Sequence, residues 1–194
     1  MRSARRILST LLQKQGHQLN DEALRTLMYE VAALMNSKPL ALVPSDDDLS
    51  YPLCPQNLLT AKSDVVLPPP GKFVDADLYG KKYWRRLQYL VDQFWSIWRK
   101  SYLSDLQSRK KWVKPHNDIT VGDVVLVKEE MEPRGSWKMG VIIKVYVSSD
   151  GKIRSARLKM GDRSLSKDGK RVKAISYLDR PIHKLILLVS KAEQ

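Results

Sequence analysis

The stretch VIIKVYVSSDGKIRSARLK, residues 141–159, reads as two strands folded about a tight turn. Val141 to Val147 is a β-branched run, and Asp150-Gly151 is a pair that a short hairpin turn favours. In the second arm Ile153, Ser155, Arg157 and Lys159 alternate with Arg154, Ala156 and Leu158, which predicts a half-buried strand presenting basic side chains to solvent. Working outward, Ile119 to Val127 is rich in Val and Leu with Gly122-Asp123 at a turn, and Ile182 to Val189 supplies a final strand. Four or five short strands with no helix between them predict a small antiparallel barrel of the SH3-like kind over residues 115–190, closed so that its edges are protected. The polar, basic stretch Asp162 to Lys173 reads as a long loop between strands.

Upstream the period changes to that of a helix. From Tyr79 to Trp112, Trp84, Leu87, Val91, Phe94 and Trp98 recur at steps of three and four, continued by Tyr102 and Leu106, which predicts one long amphipathic helix within residues 79–114. One-sided helical spacing is what burial demands, so the aromatic stripe reads as core packing ahead of base stacking. Its heptad-like character also suits pairing with a second copy. Residues 41–78 carry Pro44, Pro52, Pro55 and Pro68-Pro69-Pro70 around Asp46-Asp47-Asp48, a linker with sparse regular structure and a stiff proline spacer. Residues 1–40 read as two helices. Ile7, Leu8, Leu11 and Leu12 mark Arg2 to Gln15, ended by Gly16; Asn20 or Asp21 caps a second helix striped by Leu24, Leu27, Met28, Val31, Leu34 and Met35 and stopped by Pro39. The fold class is α+β: a helical pair, a long linker helix, then the small β-barrel.

The 194 residues hold 34 Lys and Arg against 21 Asp and Glu, a net +13. Residues 1–78 have 8 basic and 9 acidic side chains, leaving 26 and 12 for residues 79–194, so the first part carries −1 and the second +14. Such a step points to a polyanionic partner, most simply nucleic acid, gripped by the second part. The candidate contacts are Lys152, Arg154, Arg157 and Lys159 on the hairpin and Arg163, Lys167, Lys170, Arg171 and Lys173 in the following loop. Trp137, flanked by Arg134 and Lys138, is a candidate for stacking on a base or sugar, against the alternative of core packing. For each charge the competing reading is a solvated surface side chain.

Other classes are disfavoured. Cys54 is the sole cysteine, and His17, His116 and His183 lie far apart without ligand spacing, so neither a disulfide framework, a metal nor a cofactor is expected. Asp46-Asp47-Asp48, in a proline-bounded loop, suits capping or solvation rather than metal binding. No nucleophile paired with a base and no phosphate-cradling glycine loop is present, which argues against an enzyme or a small-molecule substrate. No apolar run has the ~18 residues needed to span a bilayer, and the basic start through Arg6 lacks a signal-peptide core, so no membrane is implied and an intracellular place, nuclear or cytoplasmic, is expected. A methyl-lysine reader would require Trp137, Tyr146 and Tyr177 to converge.

Several motifs fall in a fixed order: Asn36-Ser37-Lys38-Pro39-Leu40, Leu53-Cys54-Pro55-Gln56-Asn57-Leu58-Leu59, Tyr83-Trp84-Arg85-Arg86-Leu87-Gln88, Phe94-Trp95 with Trp98, Leu106-Gln107-Ser108-Arg109 and Lys111-Trp112. Val121-Gly122-Asp123-Val124-Val125-Leu126, Pro133-Arg134-Gly135-Ser136-Trp137, Gly140, Asp150-Gly151 and Arg180-Pro181-Ile182-His183-Lys184-Leu185 follow. In this order and coverage the chain resembles the C-terminal region of BEL/Pao-type retrotransposon integrases. The resemblance implies that residues 1–40 are the last helices of an RNase H-like integrase core whose metal-binding carboxylates lie upstream of Met1. It also implies a non-catalytic tail that contacts duplex DNA phosphates with little sequence preference, the long helix setting its distance from the core or serving self-association. Helices cut from the sheet they would cover should expose Leu8, Leu11, Leu27, Val31 and Leu34 unless the segment folds back on the long helix.

Overall fold

The computed structural model describes residues 2–15, 19–43, 51–61, 69, 71–80, 82–108, 119–129, 132–160 and 175–191. Helix α1 spans Arg2–Gln15 and α2 spans Asp21–Asn36. The start of α2 is fixed by Asn20, whose side-chain oxygen accepts from the Ala23 amide at 2.9 Å. The proline-rich segment is sparsely structured, as expected, but holds a two-stranded ladder, β1 Ala41–Val43 with β2 Tyr51–Leu53, and a short helix α3, Pro55–Thr60. Pro55 sits where a helix tolerates it, and the Asn57 side chain accepts from the Cys54 amide at 2.8 Å.

The long helix α4, Tyr83–Ser108, begins four residues later than its apolar period suggests. Asp75–Leu78 forms a 3-10 turn instead, and arginines from the first turn of α4 bind the backbone there: Arg86 donates to the Leu78 and Gly80 carbonyls at 2.7 and 2.9 Å. Helix α4 is buried over a much wider arc than one stripe. Leu87, Leu90, Val91, Phe94, Trp95, Trp98 and Leu103 are all in the core, because α1 and α2 cover one side and the sheet the other. Ala4, Ile7, Leu27, Val31 and Leu34 join this same core, so the first two helices fold back on α4. Trp84, at the helix start, stays 44% exposed and meets Phe73 edge-on.

After α4 come β3 Val124–Val127, β4 Met139–Val147, β5 Ile153–Met160, β6 Ser176–Pro181 and β7 Leu185–Val189. They form one antiparallel sheet in the order β6-β5-β4-β3-β7. Strand β3 is buried on both faces: Val124 and Leu126 pack toward α4, while Val125 and Val127 join Ile142, Ala156, Leu158 and Leu185 in a second core within the sheet. The turn before β3 is held by Asp123, which accepts from the Thr120 amide and, across the sheet end, from the Lys191 amide, both at 2.9 Å. Gly122 adopts φ +102, the left-handed region that suits glycine.

Among the described residues no ladder joins the edge strands β6 and β7, so the five-stranded sheet is not closed. The strand expected from Ile182 begins at Leu185, because Ile182–Lys184 is a 3-10 turn leading from Pro181, which has no N–H to extend β6. The hairpin at Asp150-Gly151 forms, but with one residue more than a two-residue turn. Ser148 and Lys152 close it, and only Gly151, at φ +74, is left-handed. A two-residue type I′ turn would need both central residues there.

Candidate nucleic-acid interface

The outer face of the β4–β5–β6 meander is set by one irregularity. Ile142 pairs with Leu158 and Lys144 with Arg157, which leaves Ile143 as an extra residue, a β-bulge. Strict alternation would send Lys144 inward beside Ile142. The bulge resets the parity, so Val145 enters the inner core and Lys144 and Tyr146 stand outside. Lys144, Arg157 and Asp179 thus form a row across three strands, with Lys159 opposite Tyr177 one step along.

Within that row Arg157 donates from Nε and Nη2 to the two carboxylate oxygens of Asp179 at 2.9 and 2.8 Å, and the Tyr146 hydroxyl lies 3.3 Å from the same carboxylate. The Lys144 ammonium sits 5.4 Å over the Tyr146 ring. Hydrogen bonding to Arg157 holds the Asp179 carboxyl below its ordinary range and pushes the Arg157 guanidinium further up. At the turn, Arg154 reaches Asp150 at 2.7 Å, lowering that carboxyl in the same way, and Lys152 is exposed. Of the hairpin candidates, Arg157 and Lys159 stand on one face with Lys144, while Lys152 and Arg154 lie at the turn end of the hairpin. Arg163, Lys167, Lys170, Arg171 and Lys173 lie outside the described residues, as do Asp46-Asp47-Asp48.

The candidates around Trp137 occupy a different place. Trp137 is 8% exposed, packed against Trp95, Trp98 and Tyr102 at 5.1 to 6.0 Å, and its Nε1 donates to Ser37 Oγ at 3.3 Å. It is a core residue, which removes it as a base-stacking platform; nor does it share the sheet's outer face with Tyr146 and Tyr177, so the three do not build a methyl-lysine cage. Arg134 is buried too, donating to Gln88 Oε1 at 2.5 Å and lying 3.5 Å from Asp92. Burial raises the Asp92 carboxyl despite the nearby Arg134 charge. Arg99 donates to the Glu129 carbonyl at 2.6 Å beneath the Trp137 ring. Lys138 is paired with Glu129 and, at 2.7 Å, with Glu132. These residues lock α4 to the β3–β4 connection, and neither Arg134 nor Lys138 faces an open surface with its charge unspent.

Lys144 and Asp179 escaped the sequence reading, and Tyr146 entered it only as one wall of an aromatic cage. The signal for Lys144 was available: a lysine at an inward parity position within an apolar strand implies a bulge. Asp179 gave none, since its strand mixes charge with few β-branched residues. Among the described residues no group of three or more His, Cys, Asp or Glu is placed to hold a metal ion, and no helix is long and apolar enough to cross a membrane.

The architecture defines a mixed α+β protein in which a long buried helix backs a five-stranded antiparallel sheet. The chain belongs to the family of unknown function DUF5641, whose pattern matches residues 82–188, from the start of α4 to β7. No curated protein and no solved structure matches it.

Proposed function

We propose that this chain is the non-catalytic C-terminal part of a BEL/Pao-type retrotransposon integrase, acting inside the cell on duplex DNA. It grips phosphates with little sequence preference through the outer face of β4–β5. The observation that carries this reading is the placement of Lys144, Arg157 and Lys159 on that face, with Lys152 and Arg154 at the hairpin turn beside it, in the part of the chain that holds +14, with the ordered integrase-like motifs running from Asn36 to Leu185. Phosphate contacts of this kind position a protein without reading bases. The SH3-like barrel belongs to the same proposal. In support, the two sheet edges, β6 and β7, are joined by only three residues, so the sheet must curl until its edges approach at that end. Neighbouring strands lie ~4.8 Å apart, and a flat five-stranded sheet would hold its edges about 19 Å apart, beyond what a three-residue 3-10 turn spans at ~2 Å per residue.

The aromatic stripe of α4 has a use already: Leu87, Val91, Phe94 and Trp98 are covered by the chain's own helices and sheet, which argues against self-association along it. The test uses the whole chain, because its first and last elements share a core. Fluorescence anisotropy with unrelated duplexes over a range of salt is expected to give similar affinities for all sequences and a log–log salt slope of about −4, the response to four or five neutralised phosphates at ~0.9 each. Absence of binding at low salt overturns the reading.

A further inference from the structure

We propose that the Arg157 guanidinium, the Tyr146 hydroxyl and the Lys144 ammonium make one anion site for a backbone phosphate, and that Asp179 fills this site when nucleic acid is absent. The inference rests on the DNA-binding reading above and assigns it a residue-level switch.

The geometry is that of a carboxylate standing in for a phosphate. Arg157 turns its Nε and Nη2 edge to Asp179 as a two-pronged donor, an arrangement that fits a phosphate's oxygens as well as a carboxylate's. The Tyr146 hydroxyl converges on Asp179 Oδ1 from the neighbouring strand. Lys144 adds its charge from over the Tyr146 ring and acts on Asp179 through space. These donors come from two strands and reach one place only because the bulge at Ile143 turns Lys144 and Tyr146 outward.

The occupant is weakly held. Arg157 and Asp179 are 44% and 49% exposed in their side chains, and an ion pair in that setting contributes little against water and salt. A duplex brings phosphates already fixed in an array, so it displaces the carboxylate once neighbouring cations such as Lys152 and Arg154 are engaged. Until then Asp179 cancels one positive charge at the centre of the face, and its displacement costs part of the binding energy. Asp179 is thereby an internal competitor, not a support for Arg157.

The experiment compares the full chain, Asp179→Asn, Arg157→Gln and the double variant for binding to one labelled duplex at several salt concentrations, with urea unfolding to check that each folds. Asp179→Asn is expected to bind about threefold tighter or better at low salt with the log–log slope unchanged, since Arg157 meets a phosphate in both complexes, and the double variant to show no such gain over Arg157→Gln. A wild-type chain that binds DNA with no gain in Asp179→Asn overturns this proposal and leaves the DNA-binding reading intact, while absence of binding by every variant overturns both. Inorganic phosphate, matched in ionic strength against chloride, separates the two sources of the anion. A phosphate-specific rise in the urea midpoint that is lost in Arg157→Gln, with no Asp179→Asn gain in duplex affinity, assigns the site to free phosphate and overturns the DNA assignment; competition with the duplex beyond the chloride control that is lost in Arg157→Gln supports it.

Discussion

Arg134 and Arg157 are the same side chain in one β-meander, and they do opposite work. Arg134 lies in the β3–β4 connection, 6% exposed, with its guanidinium committed to Gln88 and Asp92 of α4. Arg157 stands on the outer face of β5, half in water, and among the described residues its ion-pair partner is an exposed carboxylate. The difference lies in what each loses if its partner goes. A buried guanidinium without acceptors keeps its whole desolvation cost, whereas an exposed one is rescued by water. The inner cations therefore fix how α4 sits on the sheet, and the outer ones remain exchangeable for an external anion.

The largest expected effect is at the inner seam. Trp137→Ala removes a ring that packs on three others and frees the Ser37 hydroxyl, and should cost about 3–5 kcal/mol in urea unfolding. A loss below ~1 kcal/mol would mean that Trp137 is not a core residue. Next, Arg134→Leu strands the buried Gln88 carbonyl and should cost about 1–3 kcal/mol. Arg157→Leu, the matched change outside, should cost less than ~1 kcal/mol yet flatten the log–log salt slope of DNA binding by about one. Equal stability losses from the two would erase the distinction between the faces.

A fourth effect is visible in pH. Hydrogen bonds from Arg180 and then Lys138 hold Glu129 at about 2, below the ordinary 4.5. A carboxyl depressed on folding contributes stability that is complete above the unfolded value and lost as pH falls through the folded one. The urea midpoint should therefore drop between about pH 4.5 and 2, and Glu129→Gln should flatten that part of the profile. An unchanged profile in the variant would show that Glu129 is not the group being titrated.

Much of the fold was legible because its signals were local. Asn20 capping α2, the three-and-four spacing of Leu87, Val91, Phe94 and Trp98, and Asp150-Gly151 between β-branched runs each name an element without knowledge of its neighbours. The rest depended on partners distant in sequence. Trp95 and Leu90 lie on opposite flanks of the apparent stripe of α4 and are buried because α1, α2 and the sheet together cover more of the helix than one stripe. Strand β6 was not located: Tyr177-Leu178-Asp179-Arg180-Pro181 alternates poorly and gains its ladder from β5 alone. The site divided in the same way. A basic hairpin could be read from spacing, but whether a cation faces solvent or a seam is decided by tertiary burial, which separated Arg134 and Lys138 from Arg154 and Arg157. Lys144 joined the face through a bulge that depends on strand register.

The most direct test replaces Lys144, Lys152, Arg154 and Arg157 together with Gln in the full chain and measures duplex binding by fluorescence anisotropy at low and moderate salt, with circular dichroism as a folding control. A folded variant whose affinity falls at least about tenfold, with a salt slope flattened by about three to four, is the predicted result. A folded variant that binds as the wild type does would contradict the assignment of DNA binding to the outer face of the β4–β5 hairpin.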